Sequence, residues 1–170
     1  MWIWRSVLYA LCLAGGLTAV GCTDKGSYQA TWSFAGGDLP GPGCGQHGVD
    51  AIRVKGASSE GDVDDVITLC APGGFAHEVP VGDWTFTFQQ LDVHGVRIEP
   101  TDAQGQVVAE PTATGGIGKD ALIDLAPVEL VARPACRDGV DNDRDGRIDL
   151  DDADCLGEPN TATECPATGC

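Results

Sequence analysis

The feature that most constrains this chain is the alternation of short segments, apolar at every second residue, with turns rich in Gly, Pro and Asp. In 28–34 the aromatic residues and an alanine occupy one face, and in 84–88 three aromatic residues share one face while threonines occupy the other. A period of two is that of a β-strand with one buried face. About seven or eight such strands, spaced roughly ten residues apart, predict an all-β fold, an antiparallel β-sandwich over residues 28–132.

The strands between and after these two segments follow from the same pattern. They are expected at 49–54, 66–70, 75–81, 96–98, 106–108 and, in one or two pieces broken by Pro127, at 122–130. A turn is predicted at His94 and Gly95. The Gly- and Pro-rich run 36–43 is predicted to be a loop, and 114–116 a flexible connection.

Composition excludes two classes of protein. The chain has 170 residues, of which 24 are Gly and 10 are Pro, and its formal net charge is −16. So many turn-forming residues argue against a helical bundle. The negative charge argues against nucleic acid as a partner, because phosphate binding needs a basic surface.

The N-terminus reads as an export signal over residues 1–21, with one positive charge at Arg5 and an apolar stretch from Val7 to Leu17. The residues Ala19-Val20-Gly21-Cys22 resemble a bacterial lipobox. That resemblance implies cleavage before Cys22 and acylation of its thiol, with 22–27 as a tether to the membrane. Thr23 in place of Asp favours the outer membrane as the location in the cell envelope. An ordinary signal peptide followed by a fortuitous cysteine is the alternative.

The cysteines point to the same oxidising compartment. Of the 8 cysteines, Cys12 lies in the export signal and Cys22 is the proposed lipid attachment site. An even number remains, which in an exported chain predicts disulfides with several possible pairings. Proximity in sequence favours three pairs: Cys44–Cys70, Cys136–Cys155 and Cys165–Cys170. A zinc site is the competing interpretation, but the chain has no C-x-x-C pair beside a histidine.

The segment 133–170 contains the clearest chemical motif. Counted from Asp141, aspartates occupy positions one, three, five, nine and twelve of an EF-hand calcium loop, and Gly146 occupies position six. A calcium ion prefers six to eight oxygen ligands, which alternate side chains of one tight turn can supply. The predicted ligands are Asp141, Asp143, Asp145, Asp149 and Asp152, with the backbone carbonyl of Arg147. A solvated acidic tail closed by a disulfide is the alternative.

The 20-residue pattern C-x-D-G-x-D-N-D-x-D-G-x-x-D-x-x-D-x-x-C resembles the cysteine-bounded acidic repeats of myxobacterial surface proteins. It is also similar to thrombospondin type 3 and dockerin loops, in which such turns bind calcium structurally. Asp152 replaces the usual glutamate at position twelve, and cysteines rather than amphipathic helices flank the loop. The resemblance therefore implies a structural calcium ion and not a sensor that opens on binding.

A second resemblance concerns the sandwich. The segment 79–87, followed by 91–95, resembles a strand and turn of bacterial transthyretin-like or Ig-like modules. Those modules mostly serve as spacers, stalks or binding platforms.

No sequence motif indicates catalysis. The chain lacks a G-x-S-x-G elbow, an H-E-x-x-H helix and a phosphate-binding loop. His47, His77 and His94 are far apart, and Glu60, Asp64 and Asp65 are expected to be solvated in an acidic loop. The sequence thus predicts a non-enzymatic, lipid-anchored display or binding module whose partner is an envelope protein or a glycan.

Three other functions remain open at this stage. They are a small hydrolase, a glycan-binding protein, and a periplasmic assembly or inhibitor protein. Exposed tryptophans at Trp32 or Trp84 would favour glycan binding, and a histidine–aspartate pair in a deep cleft would favour catalysis.

Overall fold

The computed structural model describes residues 24–35, 39–102, 106–131 and 146–147. These contain eight strands and one short helix: β1 (Lys25–Phe34), α1 (Pro40–Gln46), β2 (Ala51–Ser58), β3 (Val63–Leu69), β4 (Gly74–Pro80), β5 (Gly82–Leu91), β6 (Thr112–Ile117), β7 (Leu122–Asp124) and β8 (Val128–Leu130). No helix in the described ranges is long and apolar enough to cross a membrane.

The strands form two sheets that pack face to face. The first has the order β4-β1-β7, with β8 pairing further along β1, and the second has the order β3-β2-β5-β6. Tyr28 of β1 contacts Phe86 of β5 across the interface, with ring centroids 4.2 Å apart. The predicted all-β sandwich is confirmed.

Alternation along the two longest strands explains this packing. In β1 every even-numbered residue from Gly26 to Phe34 is buried, and in β5 the aromatic residues of the predicted face are buried. Period-two burial places these side chains in one core between the sheets. β1 begins at Lys25, earlier than the predicted start at Tyr28.

The C-terminal strands complete the first sheet on the far side of β1 from β4. β7 pairs in parallel with 27–29 and β8 in parallel with 32–34, while β4 is antiparallel to β1. The break at Pro127 separates β7 from β8, as predicted. The second sheet is antiparallel throughout.

The Gly- and Pro-rich run after β1 is not wholly a loop, which corrects the sequence prediction. Helix α1 begins at Pro40, and proline suits a first helical turn because its φ is fixed and its missing N–H has no intrahelical partner there. Cys44 in this helix is buried and forms the predicted disulfide with Cys70. Tertiary packing and the covalent link therefore hold a short helix that propensity alone does not favour.

The connection predicted at 114–116 is part of strand β6, so that prediction was wrong. Gly115 lies where a Cβ atom would come within 2.5 Å of the Ile123 side chain and 2.8 Å of Leu125. The glycine is required by close packing of β6 over the other sheet, rather than by flexibility.

The strands predicted at 96–98 and 106–108 are also absent as strands. Each contributes a single bridge, Leu91 to Arg97 and Thr101 to Val107. The predicted turn at His94 and Gly95 is confirmed: Gly95 has φ +73°, and the Asp92 carboxylate accepts hydrogen bonds from the backbone of His94 and Val96. A three-residue loop that ends in a left-handed glycine is a common hairpin connection.

Candidate functional site

Strand β3 supplies the most unusual surface of the described molecule. It begins at Val63, so Asp64 and Asp65 are strand residues and not members of a solvated loop as the sequence predicted. Val63, Ile67 and Leu69 point outward, with 84%, 61% and 62% of their surface exposed. These three side chains form a row on one face of the strand, because alternate residues of a strand share a face. We call this set the aliphatic row.

The aliphatic row has one polar interruption, Asp65, which is ion-paired. Asp65 accepts two hydrogen bonds from Arg53 of the neighbouring strand β2, from Nε at 2.7 Å and from the terminal nitrogen at 2.5 Å. The hydrogen bond from Arg53 holds the pKa of Asp65 below its usual value. This paired carboxylate stays ionised and leaves the aliphatic side chains as the dominant exposed feature of β3.

The opposite face of β3 carries a polar cluster that joins the two sheets. The Asp64 carboxylate lies 3.3 Å from Nε2 of His77 in β4 and accepts a hydrogen bond from the Tyr28 hydroxyl at 3.4 Å. Only 16% of the Asp64 side chain is exposed. We call these three residues the Asp64 cluster.

The contacts of the Asp64 cluster give it a structural role, which is to link the two sheets. Burial raises the pKa of the Tyr28 hydroxyl, and the charge of Asp64 and the hydrogen bond to it act in the same direction. The phenol is therefore a hydrogen-bond donor and not a nucleophile at neutral pH. Since β3 and β4 are edge strands of different sheets, the cluster closes one side of the sandwich.

A shallow depression lies at one end of the second sheet. Its lining is rich in hydroxyl groups and backbone: Ala57, Ser58, Ser59, Asp83, Trp84, Thr85, Thr114, Gly115 and Gly116. Trp84 is 2% exposed and donates its indole N–H to the carbonyl of Pro80, so it forms the floor and offers no stacking surface.

Both tryptophans that the sequence proposed for a glycan site are core residues. Trp32 is 3% exposed, and its indole N–H donates to the carbonyl of Cys70. Of the three histidines, His94 is exposed in its turn and His47 packs against Phe34, at a centroid distance of 4.8 Å. His77 pairs with the carboxylate of Asp64.

Most of the predicted calcium ligands lie outside the described residues. These are Asp141, Asp143, Asp145, Asp149 and Asp152. Arg147 is described, and Gly146 before it has φ +93°, a backbone conformation that side-chain-bearing residues rarely adopt. Within the part of the chain that the structure describes, no three His, Cys, Asp or Glu residues are grouped to hold a metal ion.

Two further predictions also fall outside the described ranges. They are the lipid attachment at Cys22 and the disulfides that would join Cys136 to Cys155 and Cys165 to Cys170.

No motif in the sequence predicts the Asp64 cluster. Asp64 and His77 belong to different sheets, and their contact depends on how β3 and β4 come together at one side of the sandwich. A weak signal was present in the alternation itself, because Asp64 shares its parity with Val66 and His77 shares its parity with Phe75 and Val79. That parity places both polar side chains on inward faces.

Comparison with known proteins gives distant structural neighbours only. No protein-family model and no curated protein matches the chain. Among solved structures, the Bacillus anthracis TIE protein has a TM-score of 0.41 at 16% identity, covering 65% of this chain and 18% of its own. A DUF3823 family protein from Parabacteroides merdae has a TM-score of 0.36 at 14% identity, covering 64% of this chain and 47% of its own. The chain thus spans less than half the length of either neighbour, and neither contributes to the functional proposal.

Proposed function

We propose that this chain is a lipid-anchored protein of the bacterial cell envelope whose β-sandwich is a non-enzymatic binding module. The observation that supports binding most directly is the aliphatic row of β3. Single exposed apolar residues are ordinary on protein surfaces, whereas a row of them on one strand face is a surface that another molecule can cover. The neighbouring Arg53–Asp65 pair gives this surface a polar rim.

In vivo photo-crosslinking tests the binding module. A photoreactive amino acid at position 67 in β3 is expected to yield a discrete adduct with an envelope component in the producing cell. The matched control is position 76 in β4, also exposed on an edge strand but on the other sheet. Equal adducts at both positions, or none at position 67, would contradict the proposal.

The anchor is proposed at Cys22. Acyl chains contribute about 0.8 kcal/mol per buried methylene, and more than one chain gives stable membrane attachment. Mass spectrometry of protein extracted from envelopes is expected to show an acylated N-terminal peptide beginning at Cys22. A Cys22→Ser variant should appear in the soluble fraction, whereas an unmodified N-terminus at another residue would refute the anchor.

The acidic C-terminal segment is proposed to bind one structural calcium ion. Carboxylate oxygens are the ligands that this hard cation prefers, and the positive φ of Gly146 is compatible with the bend at the sixth position of such a loop. Calorimetric titration of the full chain with calcium should show saturable binding, with a dissociation constant of about 0.1–1 mM. An Asp143→Asn/Asp145→Asn variant should lose that binding. No heat from the unsubstituted chain at millimolar calcium would reject the loop.

The pairing of Asp64 with His77 is the one observation that favours the alternative of a small hydrolase. In such an enzyme His77 would act as a general base oriented by Asp64. A His77→Gln variant that lost a hydrolytic activity while retaining the fold would support it. The glycan-binding alternative loses its two tryptophan candidates and would depend on the hydroxyl-lined depression beside Thr85 and Thr114.

A further inference from the structure

The hydrogen-bonding pattern of the β3 backbone shows which of its N–H and C=O groups point toward β2. In the antiparallel pairing with β2, Cys70 donates its N–H to the carbonyl of Asp50, and at the other end Ser58 donates to Asp62. Hydrogen-bonded pairs alternate with non-hydrogen-bonded pairs along an antiparallel ladder. Even-numbered residues of β3 therefore direct their N–H and C=O groups toward β2.

The odd-numbered residues of β3 consequently direct these groups away from the sheet. They are the aliphatic row and Asp65. β3 is the terminal strand of its sheet, and within the described ranges no backbone group pairs with this outer edge. An unblocked edge with aliphatic side chains is the geometry by which an extended segment adds a strand to a sheet.

The charge around β3 indicates which segment fits. Three exposed acidic residues lie within or just before the strand: Glu60, Asp62 and Asp65. They crowd the N-terminal half of β3, while Ile67 and Leu69 occupy the other half. The whole chain carries −16, so a second copy would be repelled and a basic segment attracted.

We propose that the outer edge of β3 binds an extended, basic segment of another protein by β-strand addition. This inference rests on the proposed binding function and names the class of partner. In an antiparallel arrangement the partner places aliphatic residues opposite Leu69 and Ile67 and a lysine or arginine opposite Asp65. The main chain provides hydrogen bonds at each odd-numbered residue of β3, and the side chains select the sequence.

A designed peptide tests the proposal with the purified full-length protein. The probe is Val-Thr-Val-Thr-Lys-Thr-Val with blocked ends, labelled for fluorescence anisotropy. A version with glutamate in place of lysine is expected to bind at least about tenfold more weakly, because it meets like charges. A version N-methylated at its second valine and its lysine, which removes donors to β3 but keeps the charge, should bind at least about tenfold more weakly as well.

Two proline variants locate the binding edge. Ile67→Pro removes an outward N–H of β3 that makes no bond to β2, so the sheet is expected to persist. Thr114→Pro is the matched control, because Thr114 lies in β6, the other edge strand of the same sheet. Phe88 of β5 donates a hydrogen bond to the carbonyl of Pro111, so odd-numbered residues of β6 pair with β5. The N–H of Thr114 therefore points away from the sheet, as that of Ile67 does. Binding should fall at least about tenfold in Ile67→Pro and remain unchanged in Thr114→Pro.

Circular dichroism tests whether both variants are folded. Slower hydrogen exchange at Asp65 and Ile67 on adding peptide would report binding at this edge without any substitution. Equal affinity of the N-methylated peptide would overturn strand addition while leaving the binding module intact, since side chains alone would carry the contact. No peptide binding, or equal binding by both proline variants, would overturn the inference. A dimer that forms without peptide and dissociates in Ile67→Pro would overturn it too, because the occupant would be a second copy.

Discussion

The two edge strands on one side of the sandwich, β3 and β4, are joined by the Asp64 cluster. They differ in which residues direct their backbone N–H and C=O groups away from the sheet. The backbone N–H of Trp32 donates to the carbonyl of Gly73, and that of Val81 donates to the carbonyl of Asp24. The N–H and C=O groups of the odd-numbered residues of β4 therefore point toward β1. Its outward backbone groups belong to Gly74, Ala76, Glu78 and Pro80. β3 instead presents Val63, Asp65, Ile67 and Leu69.

Proline and charged residues are common means of keeping a sheet edge from pairing with another chain. In β4, Pro80 has no N–H to donate, and Glu78 forms an ion pair with Lys25 at 2.8 Å. β4 is thus protected against strand addition by Pro80 and Glu78, whereas β3 contains no proline and carries one outward carboxylate, Asp65, and one inward carboxylate, Asp64. This difference supports the proposal that the outer edge of β3 accepts a partner strand.

The largest expected effect on stability comes from the covalent tie at the end of β3. The Cys44–Cys70 disulfide closes a loop with a sequence separation of 26 and fixes α1 against the residue that follows β3. Replacing both cysteines by alanine should lower the free energy of unfolding by about 3–4 kcal/mol in the chain-entropy description. Denaturant unfolding monitored by tryptophan fluorescence measures the change.

Peptide affinity, measured in the same double variant, tests whether β3 must be fixed at this end in order to bind. If affinity falls together with stability, the end of β3 must be fixed for binding. Unfolding at the same denaturant concentration as the unsubstituted protein would contradict a stabilising role for this bond.

The next effect concerns the residue that joins the edges. Asp64→Ala leaves the Tyr28 hydroxyl, which lies in the core, without its acceptor, and should cost about 1–3 kcal/mol of stability. Asp65→Ala is the matched control, since it alters the adjacent exposed carboxylate and should change stability less. If Asp65→Ala lost more stability than Asp64→Ala in the same denaturant unfolding, the outer face of β3 and not the Asp64 cluster would be what stabilises this strand.

The sequence was sufficient for the features that depend on neighbours along the chain. Alternation at 28–34 and 84–88 located the core strands, and proximity of Cys44 to Cys70 located the disulfide. Features set by distant residues could not be read in the same way. Gly115 is in a strand because Ile123 packs over it, and Asp64 meets His77 only after two sheets have come together. The aliphatic row was missed because Val63 was assigned to an acidic loop.

Alkaline pH should lower the stability of the fold through Tyr28 of the Asp64 cluster. Its folded-state pKa is raised, so its contribution to stability is complete below the unfolded value of about 10 and is lost as pH rises above that value. The free energy of unfolding should therefore fall above about pH 10. Ultraviolet absorbance of the phenolate should rise only as the protein unfolds. Tyr28→Phe should show a smaller fall over the same range, and an equal fall would exclude Tyr28 as the cause.

The smallest expected effect on stability tests the two edges most directly. Ile67→Lys and Leu69→Lys in β3 and Ala76→Lys in β4 all change outward-facing side chains, so each should alter the free energy of unfolding by no more than about 0.5 kcal/mol. Lysine on an edge strand discourages pairing with another chain. Fluorescence of a hydrophobic dye bound to the folded protein should fall in both β3 variants and stay unchanged in the β4 variant. Equal decreases in all three would mean that β3 has no distinct apolar surface. A decrease confined to β3 would separate an edge that is open to a partner from one that is closed, in variants that fold equally well.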